Sequence, residues 1–362
     1  MLKREWRNKY KYNSGWRNSI ILFSCLSILS CNQQSHERNV NRAFYYWKST
    51  FRLSANELKL LDTLKVKTLY VKYFDVDWDN ERLAAIPKAT LRVQDKVPAD
   101  LEIIPCIFIT NACIGSIDST GIPLISANII SLLKKINAEM GQLENPEIQI
   151  DCDWTAGTKD RYFMLLNMLR KDLQKLSSTK TAKLSCTIRL HQIKYLYRTG
   201  VPPVDRGMLM AYNMGNLKNP ATKNSILENE ELKKYIGNLS TYPLHLDVAM
   251  PVFNWIVLYR KNEYTGLIQH YAENMLHNQV FHSTSFNRFK VLKDTIIEGY
   301  EFREADILRV EQSDYSEIIA AMKSIRKRLP APEIRLTMYH FDSLTLSKYT
   351  VHEMETIFSG LN

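Results

Sequence analysis

Eight apolar runs of strand length recur along this chain, most of them separated by longer stretches of helical period. The runs are Ala43–Trp47, Thr68–Phe74, Glu102–Ile109, Glu147–Asp153, Lys183–Arg189, Gly207–Tyr212, His245–Met250 and Glu333–His340. Parallel strands need crossover connections that cover the sheet, so this rhythm predicts repeated β/α units. Eight such units close into a (β/α)8 TIM barrel, and that is the expected fold within the α/β class. Helices are expected between them at Ser54–Leu64, Ser126–Met140, Lys159–Leu176, Glu230–Leu239 and Ser316–Leu329, with a last one at Ser347–Ser359. Ser54 and Glu57 have the spacing of a capping box. Residues 253–313 break the rhythm after strand seven. They are long and aromatic and carry turn signals at Tyr264-Thr265-Gly266 and Glu298-Gly299-Tyr300, so an insertion is expected there, as a small β unit or as a helix with a long loop.

Strand four carries the most chemistry. In Glu-Ile-Gln-Ile-Asp-Cys-Asp-Trp, Gln149, Asp151 and Asp153 share one face while Ile148, Ile150 and Cys152 share the other. Two carboxylates about 6–7 Å apart along a strand repel each other, and a barrel interior that holds them points to binding or catalysis. In barrels of this kind the C-terminal strand ends and following loops build the site. Trp47, Trp78, Trp154 and Trp255 all fall at or just beyond such ends. Indole faces suit the C–H faces of sugar rings, with Arg189, Gln192, Asn213, Tyr339 and His340 placed to take hydroxyls. Asp247 on strand seven is expected to join the two aspartates, and Tyr212 ends strand six. A pair of carboxyls is what glycoside hydrolysis needs, because one must keep a proton for the leaving oxygen.

The first 19 residues hold Lys3, Arg4, Arg7, Lys9, Lys11 and Arg17 against Glu5, followed by an apolar stretch from Ile20 to Leu29. Ten residues are too few for a bilayer core of roughly 30 Å, so the segment reads as a secretory signal. It runs into Ile28-Leu29-Ser30-Cys31, which resembles a bacterial lipobox. That resemblance implies acylation of Cys31, residues 1–31 as signal, 32–39 as a tether and 40–362 as the barrel domain. With no Asp directly after Cys31, it also implies a cell-envelope protein lipid-anchored at the outer membrane. The leader accounts for half of the net charge of +10, so the basic balance gives no support to a nucleic-acid partner. No Cys/His zinc spacing or calcium loop is present, and neither metal nor cofactor is expected. Cys106, Cys113, Cys152 and Cys186 read mainly as small buried hydrophobes, a disulfide between neighbouring strands remaining open.

Asp151-Cys152-Asp153 on strand four with Met210-Ala211-Tyr212-Asn213 on strand six resembles the chitinase-type family 18 glycoside hydrolases. That family carries Asp-x-Asp-x-Glu ending on strand four and Met-x-Tyr-Asp on strand six. The resemblance implies that Asp153 orients the acetamido group of a glycan and that Tyr212 assists. Position 155, where the family's acid stands, is Thr155, and Asn213 replaces its Asp. Asp153 or Asp247 would then have to donate the proton. The chain as a whole, over residues 40–345, also resembles a family of exported bacterial proteins of unassigned activity with a glycosidase-like barrel. Three functions follow: a lipid-anchored glycosidase, a glycan-binding protein on the same barrel without hydrolysis, or an envelope scaffold whose partner is a protein.

Overall fold

The computed structural model describes residues 38–142, 145–176, 182–269, 271–329, 331–342 and 346–362. The leader, Cys31 and most of the tether lie outside the described residues. Eight parallel strands form a closed barrel: β1 (Asn39–Tyr46), β2 (Thr68–Asp79), β3 (Glu102–Ile109), β4 (Glu147–Asp151), β5 (Lys183–Arg189), β6 (Arg206–Met210), β7 (Leu246–Pro251) and β8 (Glu333–Tyr339). Each pairs with its neighbour in sequence, and β1 closes the ring by pairing with both β8 and β2. All eight expected strands are therefore present, in a TIM barrel.

Helices α1 (Ala55–Thr63), α2 (Ile122–Met140), α3 (Lys159–Leu176), α4 (Tyr315–Arg326) and α5 (Val351–Ser359) account for most of the outer layer. Ser54 caps α1, accepting from the Glu57 amide while the Glu57 carboxylate accepts from the Ser54 amide. The Glu230–Leu239 expectation resolves into a short helix, Asn229–Lys233, and a 3-10 turn, Ile236–Thr241. No helix follows β2. That strand runs on to Asp79 and turns back as Ala84–Lys88, so the Asp75–Asp79 stretch is a hairpin arm. Arg38–Asn362 is one compact unit with a continuous core, in which Ile, Leu, Val, Phe and Tyr side chains from strands and helices interlock. Each fully buried aliphatic or aromatic side chain there contributes about 1.5–3 kcal/mol.

Residues 254–312 form a five-stranded antiparallel sheet, ordered Glu263–Ile268, Asn254–Arg260, Ile307–Gln312, Arg288–Val291, Phe281–Ser285, with a small hairpin, Thr295–Ile297 and Tyr300–Phe302. Its two faces differ. Ile256, Leu258, Leu308 and Val291 cover a small core of their own with Phe281, Phe302 and Met275. Trp255, Val257 and Tyr259 point the other way and belong to the barrel's core. The turn at Glu298-Gly299 needs positive φ at both residues (53° and 82°), which glycine accepts at no steric cost.

Candidate functional site

The interior of the barrel is polar in layers, because β4 turns Glu147, Gln149 and Asp151 inward in alternation. At the N-terminal end, Glu147 accepts from Ser185 (2.6 Å), Tyr70 (3.2 Å) and Arg335 (2.9 Å). In the middle, the Tyr45 hydroxyl donates to Gln149 at 2.6 Å. At the C-terminal end, the Thr187 hydroxyl donates to Asp151 at 2.6 Å. Strand β4 ends at Asp151, so Asp153 lies just beyond it with an exposed side chain. Arg189, from the end of β5, ties the two aspartates together. Its Nε donates to Asp153 and its Nη2 lies 3.7 Å from Asp151.

This geometry sets the charge states. Burial pushes the Asp151 carboxyl above its ordinary value; Arg189 opposes that, and the negative charges of Asp153 and Asp75 add to it. Burial disfavours a charged Arg189, yet Asp151 and Asp153 outweigh burial and hold it firmly protonated. His191, at the same end of β5, is lowered by burial, with Asp153 opposing. The mouth therefore presents Arg189 between two carboxyls, the deeper of which is shifted towards its protonated form.

Beside this cluster is a cavity of about 1010 Å³ lined by Asn213, Phe253, Asn254, Trp255, Gln269, Tyr271, Glu298, Gln312, Tyr339 and His340, among others. It lies between the ends of β6–β8 and the inserted sheet. Asp151 and Asp153 do not line it, but Tyr339, which does, lies close enough to feel the Asp151 charge. Tyr339 stacks on Tyr212 (centroids 5.2 Å apart, planes 25°), and its hydroxyl is raised by burial and by the Asp151 charge. Asn213 adopts positive φ (54°), a conformation that Asn tolerates better than most residues. Trp47, half-buried at the end of β1, packs edge-on against Tyr339 at 5.7 Å and takes the Lys72 ammonium over its face at 5.9 Å.

Several sequence expectations are corrected. Asp247 is the second residue of β7 and lies at the opposite end of the barrel, 1% exposed, where Arg206 Nη2 (2.6 Å) and the Arg335 amide (2.7 Å) donate to it. Burial alone would raise its carboxyl, but His245, Arg206 and Arg335 outweigh that and hold it low. It stabilises the barrel and cannot act at the mouth. Trp154 is fully buried, stacks on Tyr162 at 5.1 Å and donates to the Thr199 carbonyl at 2.9 Å, so no ligand reaches it. Gln192 is fully buried as well. It accepts from the Arg189 amide (2.7 Å) and donates to the Trp154 carbonyl (3.0 Å), so it holds the loop after β5 and touches no ligand. Thr155 is exposed and belongs to the turn before α3, its amide donating to Thr158 Oγ1 at 2.9 Å. The four cysteines of the described residues are buried and free, with Cys113 pushed up to about 12 by burial and the nearby Asp77 charge.

Sequence reasoning missed Glu147, whose inward position the same alternation predicts, and most of the inserted residues that line the cavity. Phe253, Asn254 and Gln312 had only an irregular aromatic stretch as signal. No family model and no curated protein matches this sequence. Solved structures match in fold. The Bacillus megaterium QM B1551 spore cortex-lytic enzyme SleL aligns with TM-score 0.52 and 13% identity over 90% of this chain and 75% of that one. SleL of Bacillus cereus aligns with TM-score 0.51 and 13% identity, over the same shares. The Ostrinia furnacalis Group IV chitinase aligns with TM-score 0.52 and 11% identity, over 89% of this chain and 100% of that one. At these identities the shared property is the barrel.

Proposed function

We propose that this chain is a lipid-anchored protein of the cell envelope that binds a glycan at the C-terminal face of its barrel, without rapid hydrolysis. The carrying observation is the cavity, whose size suits an oligosaccharide and whose lining pairs aromatic faces with amide groups (Asn213, Asn254, Gln269 and Gln312). Flat aromatic rings take the apolar faces of pyranoses, and amides pair with their hydroxyl and acetamido groups. The fold likeness to a chitinase and to spore cortex-lytic enzymes supports a glycan as the ligand class. Two features argue for binding over cleavage. Position 155 carries a hydroxyl that meets the Thr158 hydroxyl at 3.4 Å within its own turn, and Asp153 is ion-paired to Arg189. The anchor at Cys31 and the outer-membrane location rest on the leader sequence alone.

Asp151 favours a second reading, hydrolysis. Burial shifts its carboxyl upward, the direction in which a general acid has to be moved.

The test uses the Arg38–Asn362 unit with soluble probes, the β-1,4-linked N-acetylglucosamine tetramer and solubilised peptidoglycan fragments, read by calorimetry and by release of reducing ends. The expected result is binding without release, weakened at least about ten-fold by Trp255→Ala. Release that Asp151→Asn abolishes would establish the second reading. Absence of binding to every probe would remove both.

A further inference from the structure

The inserted sheet holds a buried ion pair of its own. Arg309 and Glu311 are both fully buried, with Arg309 Nε donating to Glu311 Oε1 at 2.5 Å. Burying such a pair carries a desolvation cost that its own attraction must offset, and an apolar pair of equal size usually serves stability as well. What this pair touches gives it another use. Glu311 lies directly across from Trp255 in the antiparallel pairing, and its Oε2 accepts from Trp255 Nε1 at 2.7 Å. The same oxygen accepts from the Ser225 hydroxyl. Ser225 belongs to the loop after β6, and its carbonyl accepts from the Gly215 amide at 3.1 Å, while the Asn213 amide donates to the Ile226 carbonyl at 2.8 Å. The two arms of that loop pack so closely that a Cβ on Gly215 would lie 2.7 Å from the Ser225 Cα. Arg309 fastens the tip of the loop from the same side, donating to the Asn219 carbonyl at 2.8 Å and lying over the Tyr259 ring at 5.1 Å.

From these contacts we infer that Glu311 is a positioning residue: one buried carboxylate fixes the Trp255 indole and the Asn213-bearing loop relative to each other, and so sets the spacing of two walls of the cavity. Three donors converge on it, namely an indole N–H, a hydroxyl and a guanidinium N–H. Without it each would be buried with an unmade bond, which costs more than the bond itself contributes. Relief would come from the indole or the loop turning away, which changes the cavity's shape.

The inference rests on the cavity being the glycan site. The experiment is a double-mutant cycle on the Arg38–Asn362 unit with the N-acetylglucosamine tetramer and peptidoglycan fragments as probes, alongside indole N–H exchange by NMR, the Trp255 signal being assigned from Trp255→Phe. Glu311→Leu is expected to weaken binding about ten-fold, and Trp255→Phe/Glu311→Leu to lose little beyond either single change. Glu311→Gln, which keeps one acceptor for the indole, should restore binding to within about three-fold of the parent chain. In the unliganded protein, protection of the Trp255 N–H should be lost in Glu311→Leu and kept in Glu311→Gln. Additive losses, or parent-like binding by a folded Glu311→Leu, would overturn the inference. If no probe binds, the glycan reading fails and the exchange measurement alone decides the positioning role. Should Glu311→Leu fail to fold, Ser225→Ala gives the same readouts with one donor removed. That change frees the loop and leaves the indole bond in place, so weakened binding with Trp255 N–H protection kept supports the role, and unchanged binding overturns it.

Discussion

The two ends of one barrel treat a buried aspartate in opposite ways. At the closed end, Asp247 and Glu147 face Arg206 and Arg335, so charges balance in pairs and bonds of 2.6–2.9 Å join them. At the open end, Asp151 and Asp153 share Arg189, whose contact with Asp151 is only 3.7 Å. The Asp247 carboxyl is held low and the Asp151 carboxyl high. Depth does not separate them, since both are almost wholly buried. What separates them is the balance of neighbouring charges, cations around Asp247 against one arginine and two further aspartates around Asp151, and this places structural charge at one end and titratable charge at the other.

The largest expected effect tests the closed end. Arg206→Met leaves the Asp247 carboxylate buried with its nearest cation gone and should cost about 3–5 kcal/mol in urea unfolding. Arg189→Met should cost less, about 1–2 kcal/mol, because Asp153 can turn to water and Asp151 can take up a proton. Equal losses from the two substitutions would break the comparison.

Titration sharpens it further. Asp247, depressed in the folded state, adds stability above the ordinary carboxylate range and loses it as pH falls through its lowered value. Asp151 runs the other way. The unfolded chain gives up that proton first, so stability declines as pH rises from the ordinary range towards the raised value. In denaturation across a pH series, Asp247→Asn should flatten the acid limb and Asp151→Asn should flatten the decline above it. The smallest effect concerns a residue near the mouth that does not face it. Trp154→Phe removes one buried hydrogen bond, costs about 1 kcal/mol of stability and leaves probe binding unchanged. A loss of binding there would mean that the wall behind β4 is part of the site.

Strand positions were legible because hydrophobic period and length carry them, and the inward set Gln149 and Asp151 followed from a period of two. Height along the barrel was not legible. Period assigns a face, whereas the level of a residue depends on the stagger between neighbours, and it is the pairing of Asp247 with Met208 that places it low. Trp154 and Gln192 escaped for a related reason. Both lie past the last strand residue, where alternation no longer governs direction, and tertiary packing turned them inward. The hairpin arm at the end of β2 was hidden by its three aspartates, which depress strand propensity but here meet Lys72, Lys88 and the Arg82 amide.

One face of the inserted sheet is continuous with the barrel's core, through Trp255, Val257 and Tyr259. A flap could swing to admit or expel a guest. This sheet cannot swing without dragging three large apolar side chains into water, so the cavity keeps a fixed gauge, and a guest is chosen by whether it fits an aperture already cut to size.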